Sequence, residues 1–268
     1  MTKRAAILIA SPTVHYNGMH SQSYLHGSFN DLYEWKRFLK EPVGGCWNDD
    51  EIYDMSNRNA TALFQQINCL SDVDYLFFVY TGHGYGDATG DYIFMDYGQD
   101  RVNVNDIENT VKKLRENIKS TLIFDSCRCG LLKEKFVAKS RSSLLLENYP
   151  KELRNAIRSR WDELLEKSSC SGVFTIQSCD KNEESYMLDY NTYSAFSYMM
   201  LAKGWHASSE MTVYDAFNEA KTATMAEVAS WGNGKKQDPK CSSKRVNYPF
   251  SLSVTGANCI MADRLLRE

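Results

Sequence analysis

The chain reads as an α/β protein, a mostly parallel sheet of about six strands between helices. Two observations predict this. Short apolar runs, each the length of a strand buried on both faces, recur along the chain. Between them lie segments with apolar residues at helical spacing, so strand and helix alternate from residue 5 to residue 125.

Ala5-Ala6-Ile7-Leu8-Ile9-Ala10 is the first strand, and a polar loop rich in His, Tyr and Ser follows it. Residues 30–40 form a helix with Leu32, Trp35, Phe38 and Leu39 on one face and Pro42 just beyond its end. Gly44-Gly45 turns the chain into a short strand at 51–55, and residues 59–70 make a helix striped by Leu63, Phe64 and Ile67. Tyr75-Leu76-Phe77-Phe78-Val79-Tyr80 is a buried strand that ends in Thr81-Gly82-His83-Gly84. A Gly/Asp-rich loop leads to Tyr92-Ile93-Phe94-Met95, an arm of a small hairpin. Asn103 to Asp106 supply capping chemistry for a helix to about residue 118. The next strand, Thr121-Leu122-Ile123-Phe124, runs into Asp125-Ser126-Cys127-Arg128-Cys129-Gly130.

Past residue 130 the pattern changes. Lysines and Arg141 precede Ser142-Ser143, and Pro150 opens a charged amphipathic helix; a connection this long is usually functional or disordered. Residues 172–178 resume the sheet. Helices follow at 193–203 and, capped by Thr212, at 212–230, and residues 249–254 form a final strand. The expected organisation is one domain over 1–268, made of a first part (1–130), an insertion (131–169) and a last part (170–268).

Composition excludes several classes. A net charge of −3 gives no broad electrostatic footprint for nucleic acid or anionic lipid. Lys3-Arg4 before 5–10 resembles the start of a secretion signal, but the apolar stretch is short and Ser11-Pro12 ends it, so a cytoplasmic protein with no membrane partner is expected. Its 8 cysteines are scattered, which favours reduced thiols. Cys127 and Cys129 are the only close pair, and no second pair stands at zinc-site spacing. No Gly-rich phosphate loop follows the first strand, where Ser11-Pro12-Thr13 stands, which weighs against a nucleotide-binding module.

The chemistry gathers at two strand ends. Open α/β sheets place their sites at the carboxyl ends of the strands. If the strands at 75–80 and 121–124 are parallel neighbours, His83 and Cys127 emerge at one rim. A thiol reacts as the thiolate and needs a nearby base, which an imidazole provides near neutrality. Gly82 and Gly84 allow a sharp turn that leaves the Gly84 N–H free. With the Cys127 N–H it would make a two-donor oxyanion hole. Taken singly, a Gly-His-Gly is a turn and a strand-end Cys a small buried residue; the pair carries the reading.

Tyr80-Thr81-Gly82-His83-Gly84 and Asp125-Ser126-Cys127-Arg128-Cys129-Gly130 resemble the His and Cys motifs of the caspase-like cysteine peptidases. The resemblance is nearest to metacaspases and their bacterial relatives, the orthocaspases. Caspases carry Gln-Ala before the Cys, with the His about 50 residues upstream. Asp125-Ser126 here is the metacaspase form. Leu25-His26-Gly27-Ser28-Phe29-Asn30-Asp31 is similar to the segment that opens the first metacaspase helix, and Gln177 to Ser185 with Ser194-Ala195-Phe196 is a weaker match. Residues 204–268 carry no matching motif.

The resemblance implies a caspase-like three-layer sandwich and a cysteine endopeptidase with a Cys127–His83 dyad. It implies cleavage after Arg, then Lys, with Asp31 and Asp125 at the base of the S1 pocket and Thr81 lining it. Cys129 stands where metacaspases commonly have Ser and is read as supporting. The insertion falls where caspases are cut, which makes Lys139 and Arg141 candidate processing sites. Many metacaspases need calcium; the acidic cluster maps near Asp96, Asp106 and Glu134, with Asn105 in place of one acid, so calcium is allowed but no cofactor is required. Bacterial relatives act in antiviral or cell-death systems, which suggests a defence or cell-death role. The competing expectation is a non-catalytic caspase-like scaffold that binds proteins.

Overall fold

The computed structural model describes residues 2–20, 24–130, 149–168, 170–188, 191–242 and 250–256. In chain order the elements are β1 (Arg4–Ser11), β2 (His15–Tyr16), β3 (Met19–His20), α1 (His26–Lys40), β4 (Ile52–Asp54), α2 (Ala60–Asn68), β5 (Tyr75–Gly82) and β6 (Gly84–Asp87). Next come β7 (Gly90–Met95), β8 (Asp100–Asn103), α3 (Val104–Leu114), β9 (Lys119–Asp125), α4 (Lys151–Lys167) and β10 (Gly172–Gln177). The remainder is α5 (Ala195–Trp205), β11 (Met211–Thr212), α6 (Val213–Ser230), β12 (Lys240–Cys241) and β13 (Ser251–Ser253).

The central sheet has 6 strands in the order β12-β10-β9-β5-β1-β4. Its pairs are parallel except the outer β10–β12 pair, which is antiparallel. The strand order reverses at β1, which lies between β4 and β5. Such a switch point opens a crevice at the carboxyl ends of the strands.

Strand alternation divides the core in two. Ala6 and Leu8 of β1, Phe77 and Val79 of β5 and Ile123 of β9 face α1, α4, α5 and α6 through Trp35, Trp161, Phe196 and Phe217. Ala5, Ile7, Leu76, Phe78, Leu122 and Phe124 face α2 and α3 through Leu63, Ile67, Ile107 and Val111. Burying each large apolar side chain contributes about 1.5–3 kcal/mol, and a one-residue slip would exchange the two faces. The expected α/β three-layer architecture is therefore the observed one. Among the described residues no helix is long and apolar enough to cross a membrane.

Several boundaries differ from the expectation. α1 begins at His26, four residues early, although no side chain caps it. Its first turn is instead tied down from afar: Asn30 Nδ2 donates to the Thr192 carbonyl and Asn191 Nδ2 to the Tyr24 carbonyl. α3 stops at Leu114 because Arg115 is extended, and α5 starts at Ala195 rather than 193. β13 does not join the main sheet but pairs with β11. The sixth strand is the two-residue β12, for which no strand was expected.

Candidate active site at the carboxyl rim of the sheet

β5 and β9 are parallel neighbours with Thr81 opposite Asp125, and on the other side of β5 Gly82 stands opposite Ser11 of β1. The strands end level, so the residues just beyond them, His83 and Cys127, share one rim. Glycine brings the two segments together. A Cβ on Gly84 would lie 2.5 Å from the Cys127 carbonyl oxygen and 2.6 Å from Ser126 Oγ. Gly86 donates its N–H to the Cys129 carbonyl at 3.4 Å, so β6 runs along the 126–129 turn. Gly82 has φ +147°, and a Cβ there would strike the Ser11 carbonyl at 2.2 Å; only glycine fits that turn.

The His83 backbone is held at both ends. Its N–H donates to the Ser11 carbonyl at 3.0 Å, and its carbonyl accepts the Tyr80 hydroxyl at 2.5 Å. Tyr80 is in turn fixed by the Phe94 N–H at 3.2 Å. The histidine is 7% exposed.

Cys127 is half-buried. Its sulfur receives the Ser185 N–H at 3.3 Å and lies 3.6 Å from the Ser185 carbonyl. The neighbouring Cys129 and then burial push its thiol well up. The turn around it is pinned by Arg128. The Arg128 guanidinium pairs with Asp91 Oδ2 at 2.7 Å and donates to the Cys179 carbonyl at 3.1 Å. The Arg128 N–H donates to the Glu183 carbonyl, and its own carbonyl accepts from Asn182 N–H. Arg128 is thus a clamp between three segments.

Two carboxylates lie buried behind the rim. Asp31, 0% exposed, accepts the Thr81 hydroxyl at 2.7 Å and the Ser194 N–H at 3.1 Å to each oxygen. It lies inside α1 and does not cap it, so the capping role that a helix-start acid would have is not the one it plays. Asp125, 2% exposed, accepts Ser197 N–H and Oγ at 2.9 and 2.6 Å and Ser185 Oγ at 2.8 Å. Burial, and then the charge of Asp125, hold the Asp31 carboxyl well above the usual range. Both acids draw on the first turn of α5, whose N–H groups have no partners within the helix.

His83, Gly84, Cys127, Thr81, Asp125 and Asp31 are brought to one region. Lys139, Arg141 and Glu134 lie outside the described residues. Asp96 sits in the turn after β7, with its N–H on the Arg58 carbonyl, and Asp106 is exposed in the first turn of α3. Among the described residues no three His, Cys, Asp or Glu side chains are grouped to hold a metal. Asp96 and Asp106 are two of the three residues named for calcium, and the third, Glu134, lies outside the described residues. Sequence reasoning missed the roles of Ser185, Ser194 and Ser197 as carboxylate donors, and Gln237 altogether. The serines fall within or beside segments that carried the weaker resemblance. Gln237 sits in a polar stretch with no local signal.

No protein-family model matches the chain, and no curated protein sequence matches it. Among solved structures it is similar to caspase-1 from Spodoptera frugiperda, at 12% identity and a TM-score of 0.57, over 95% of this chain and 90% of that one. Identity that low speaks to the fold alone. Over nearly all of its length, then, the chain folds in the caspase-like manner.

Proposed function

We propose that the protein is a cysteine endopeptidase of metacaspase-like type that cleaves after Arg and, less well, after Lys. The observation that carries the reading is the level ending of β5 and β9, with Gly84 packed on the Cys127 carbonyl so that the imidazole and thiol segments share one rim.

In this reading His83 takes the thiol proton as Cys127 Sγ attacks the scissile carbonyl. A thiol pushed up at rest suits proton transfer during attack rather than a standing thiolate. The oxyanion accepts from the Gly84 and Cys127 N–H groups. Ladder geometry supports the Gly84 donor. Bonded and non-bonded pairs alternate along antiparallel strands, and Gly86 sends its N–H to Cys129 rather than across to β7. Gly84, two residues back, turns the same way. His83 then protonates the leaving amine, and the thioester is hydrolysed by a water that His83 deprotonates.

The side chain before the cut would enter between Asp31 and Asp125. Each carboxylate offers about four lone-pair sites, and the donors described above leave room on both. A guanidinium forks across two carboxylates, whereas an ammonium is a point charge, which ranks Arg over Lys. Arg128, the arginine of the 126–129 turn, is already committed to Asp91 and the Cys179 carbonyl, which weighs against an acidic side chain there.

Fluorogenic peptides ending in Arg, Lys or Asp test the proposal. Cleavage should rank Arg over Lys with none after Asp, and Cys127→Ala should abolish it. Asp preference would overturn the specificity. Absence of all cleavage, together with failure of an active-site electrophile to label Cys127, would leave the protein-binding scaffold.

A further inference from the structure

We infer that Gln237 is a positioning residue that aligns the nucleophile and one S1 carboxylate through Ser185. The inference rests on the cysteine-peptidase reading of the rim. It deepens that reading with a residue from 204–268, where no motif was found.

Gln237 lies just before β12 and is 1% exposed. Its amide is fully used. Nε2 donates to the Ser178 carbonyl at 2.9 Å and to Ser185 Oγ at 3.2 Å, and Oε1 accepts the Tyr186 N–H at 3.0 Å. The opposite amide orientation would set oxygen against the Ser178 carbonyl and N–H against the Tyr186 N–H, so the neighbours fix the assignment. One side chain therefore ties the end of β10 to Tyr186 and closes the intervening loop over Cys127.

Ser185 is where the network branches. Gln237 Nε2 donates to its oxygen, so its own hydrogen is directed to Asp125 Oδ1 at 2.8 Å. Its backbone N–H donates to Cys127 Sγ at 3.3 Å. Ser178 Oγ lies 2.9 Å from Ser185 Oγ and receives the Ser126 N–H at 3.1 Å, which ties the same network to the residue before the nucleophile. A displacement of Ser185 would thus withdraw one hydrogen bond from the sulfur and another from the carboxylate. An N–H donated to sulfur favours the thiolate, so its loss raises the pH at which Cys127 becomes reactive.

Gln237→Met tests this, because it keeps the volume and removes every hydrogen bond. Alkylation of Cys127 by iodoacetamide, followed across pH by mass spectrometry, needs no peptidase activity. Its midpoint should move up by about half a unit or more. Peptides ending in Arg should lose about tenfold to a hundredfold in kcat/KM, and the Arg-over-Lys ratio should fall, because Asp125 loses its Ser185 donor. A purely structural role would move neither the midpoint nor the ratio. Combining Ser185→Ala with Gln237→Met should lower kcat/KM no further than the worse single variant. A folded Gln237→Met protein with the wild-type alkylation profile, and kcat/KM within about twofold, overturns the inference. If Gln237→Met does not fold, Gln237→Leu is read the same way, since it too removes every amide hydrogen bond and adds no charge. If the wild-type protein cleaves no peptide, the peptidase reading fails while the alkylation midpoint still decides for or against Gln237.

Discussion

Asp31 and Asp125 come from a helix and a strand far apart in sequence, yet the first turn of α5 holds both. The Ser194 N–H donates to Asp31 and the Ser197 N–H to Asp125. Helix N-termini favour negative charge, so one helix end offsets part of the cost of burying two like charges. Asp31 carries the remainder, with its carboxyl pushed up by burial and by its neighbour.

That residue has a measurable cost in stability. A carboxyl whose folded value is raised binds its proton more tightly in the folded than in the unfolded state. Its contribution is favourable at low pH and is lost as pH rises above the ordinary value of about 3.9 and on through the raised one. Asp31→Asn keeps an oxygen for Thr81 and Ser194 and cannot ionise. It should melt higher than wild type at pH 7 to 8, by about 2–4 °C for each kcal/mol relieved, with the gain vanishing in acid. The same variant should lose cleavage after Arg, because one half of the proposed guanidinium fork is gone. Melting curves across pH and peptide kinetics on one preparation check both; a variant that is less stable at neutral pH contradicts the account of Asp31.

The two thiols of the 127–129 turn make opposite predictions. Cys129 is the largest influence raising the Cys127 thiol, so Cys129→Ala should let that thiol titrate lower, toward the ordinary value of about 8.5. Alkylation of Cys127 at a fixed neutral pH should quicken, and peptide cleavage should survive. Cys127→Ala should remove cleavage by about a thousandfold or more. If Cys129→Ala is the dead variant and Cys127→Ala the active one, Cys129 is the nucleophile.

The insertion supplies a third test. Lys139 and Arg141 are the proposed processing sites, and they match the basic preference of the proposed pocket. Wild-type protein should nick itself near them on incubation, and Lys139→Ala with Arg141→Ala should stay intact. A Cys127→Ala protein that still nicks there by itself would contradict self-processing.

The legible parts of the molecule were those with local signatures. β5 and β9 could be read because strands buried on both faces are continuous apolar runs, and each run ended in a break with chemistry in it. The helix at residues 26–40 was legible in its apolar stripe but not at its start, since Leu25 offers no cap and the first turn is held by Asn191 and Thr192. β12 was illegible because a two-residue strand has no period to detect. The serine donors to Asp31 and Asp125, and Gln237 behind them, are long-range polar contacts. No periodicity encodes a hydrogen bond between positions more than fifty residues apart, such as that of Gln237 with Ser185.

Gly84 gives the sharpest steric test of the proposed site. A methyl group there would stand 2.5 Å from the Cys127 carbonyl and 2.6 Å from Ser126 Oγ, closer than side-chain carbons come to such atoms. Neither neighbour can yield easily: Ser126 N–H is held by Ser178 Oγ, and Arg128 is clamped to Asp91 and to the Cys179 carbonyl. Gly84→Ala must therefore shift the whole turn, and overpacking of this kind costs about 1–3 kcal/mol. The loss of cleavage should be larger than that of stability. A shift of about 1 Å between nucleophile, base and oxyanion donors costs on the order of a hundredfold, and here the substituted residue carries one of those donors itself. Expected results are a modest fall in melting temperature, a drop of about a hundredfold in kcat and continued alkylation of Cys127 by a small reagent. A variant with wild-type kcat would show that the Gly84 N–H does not serve the oxyanion.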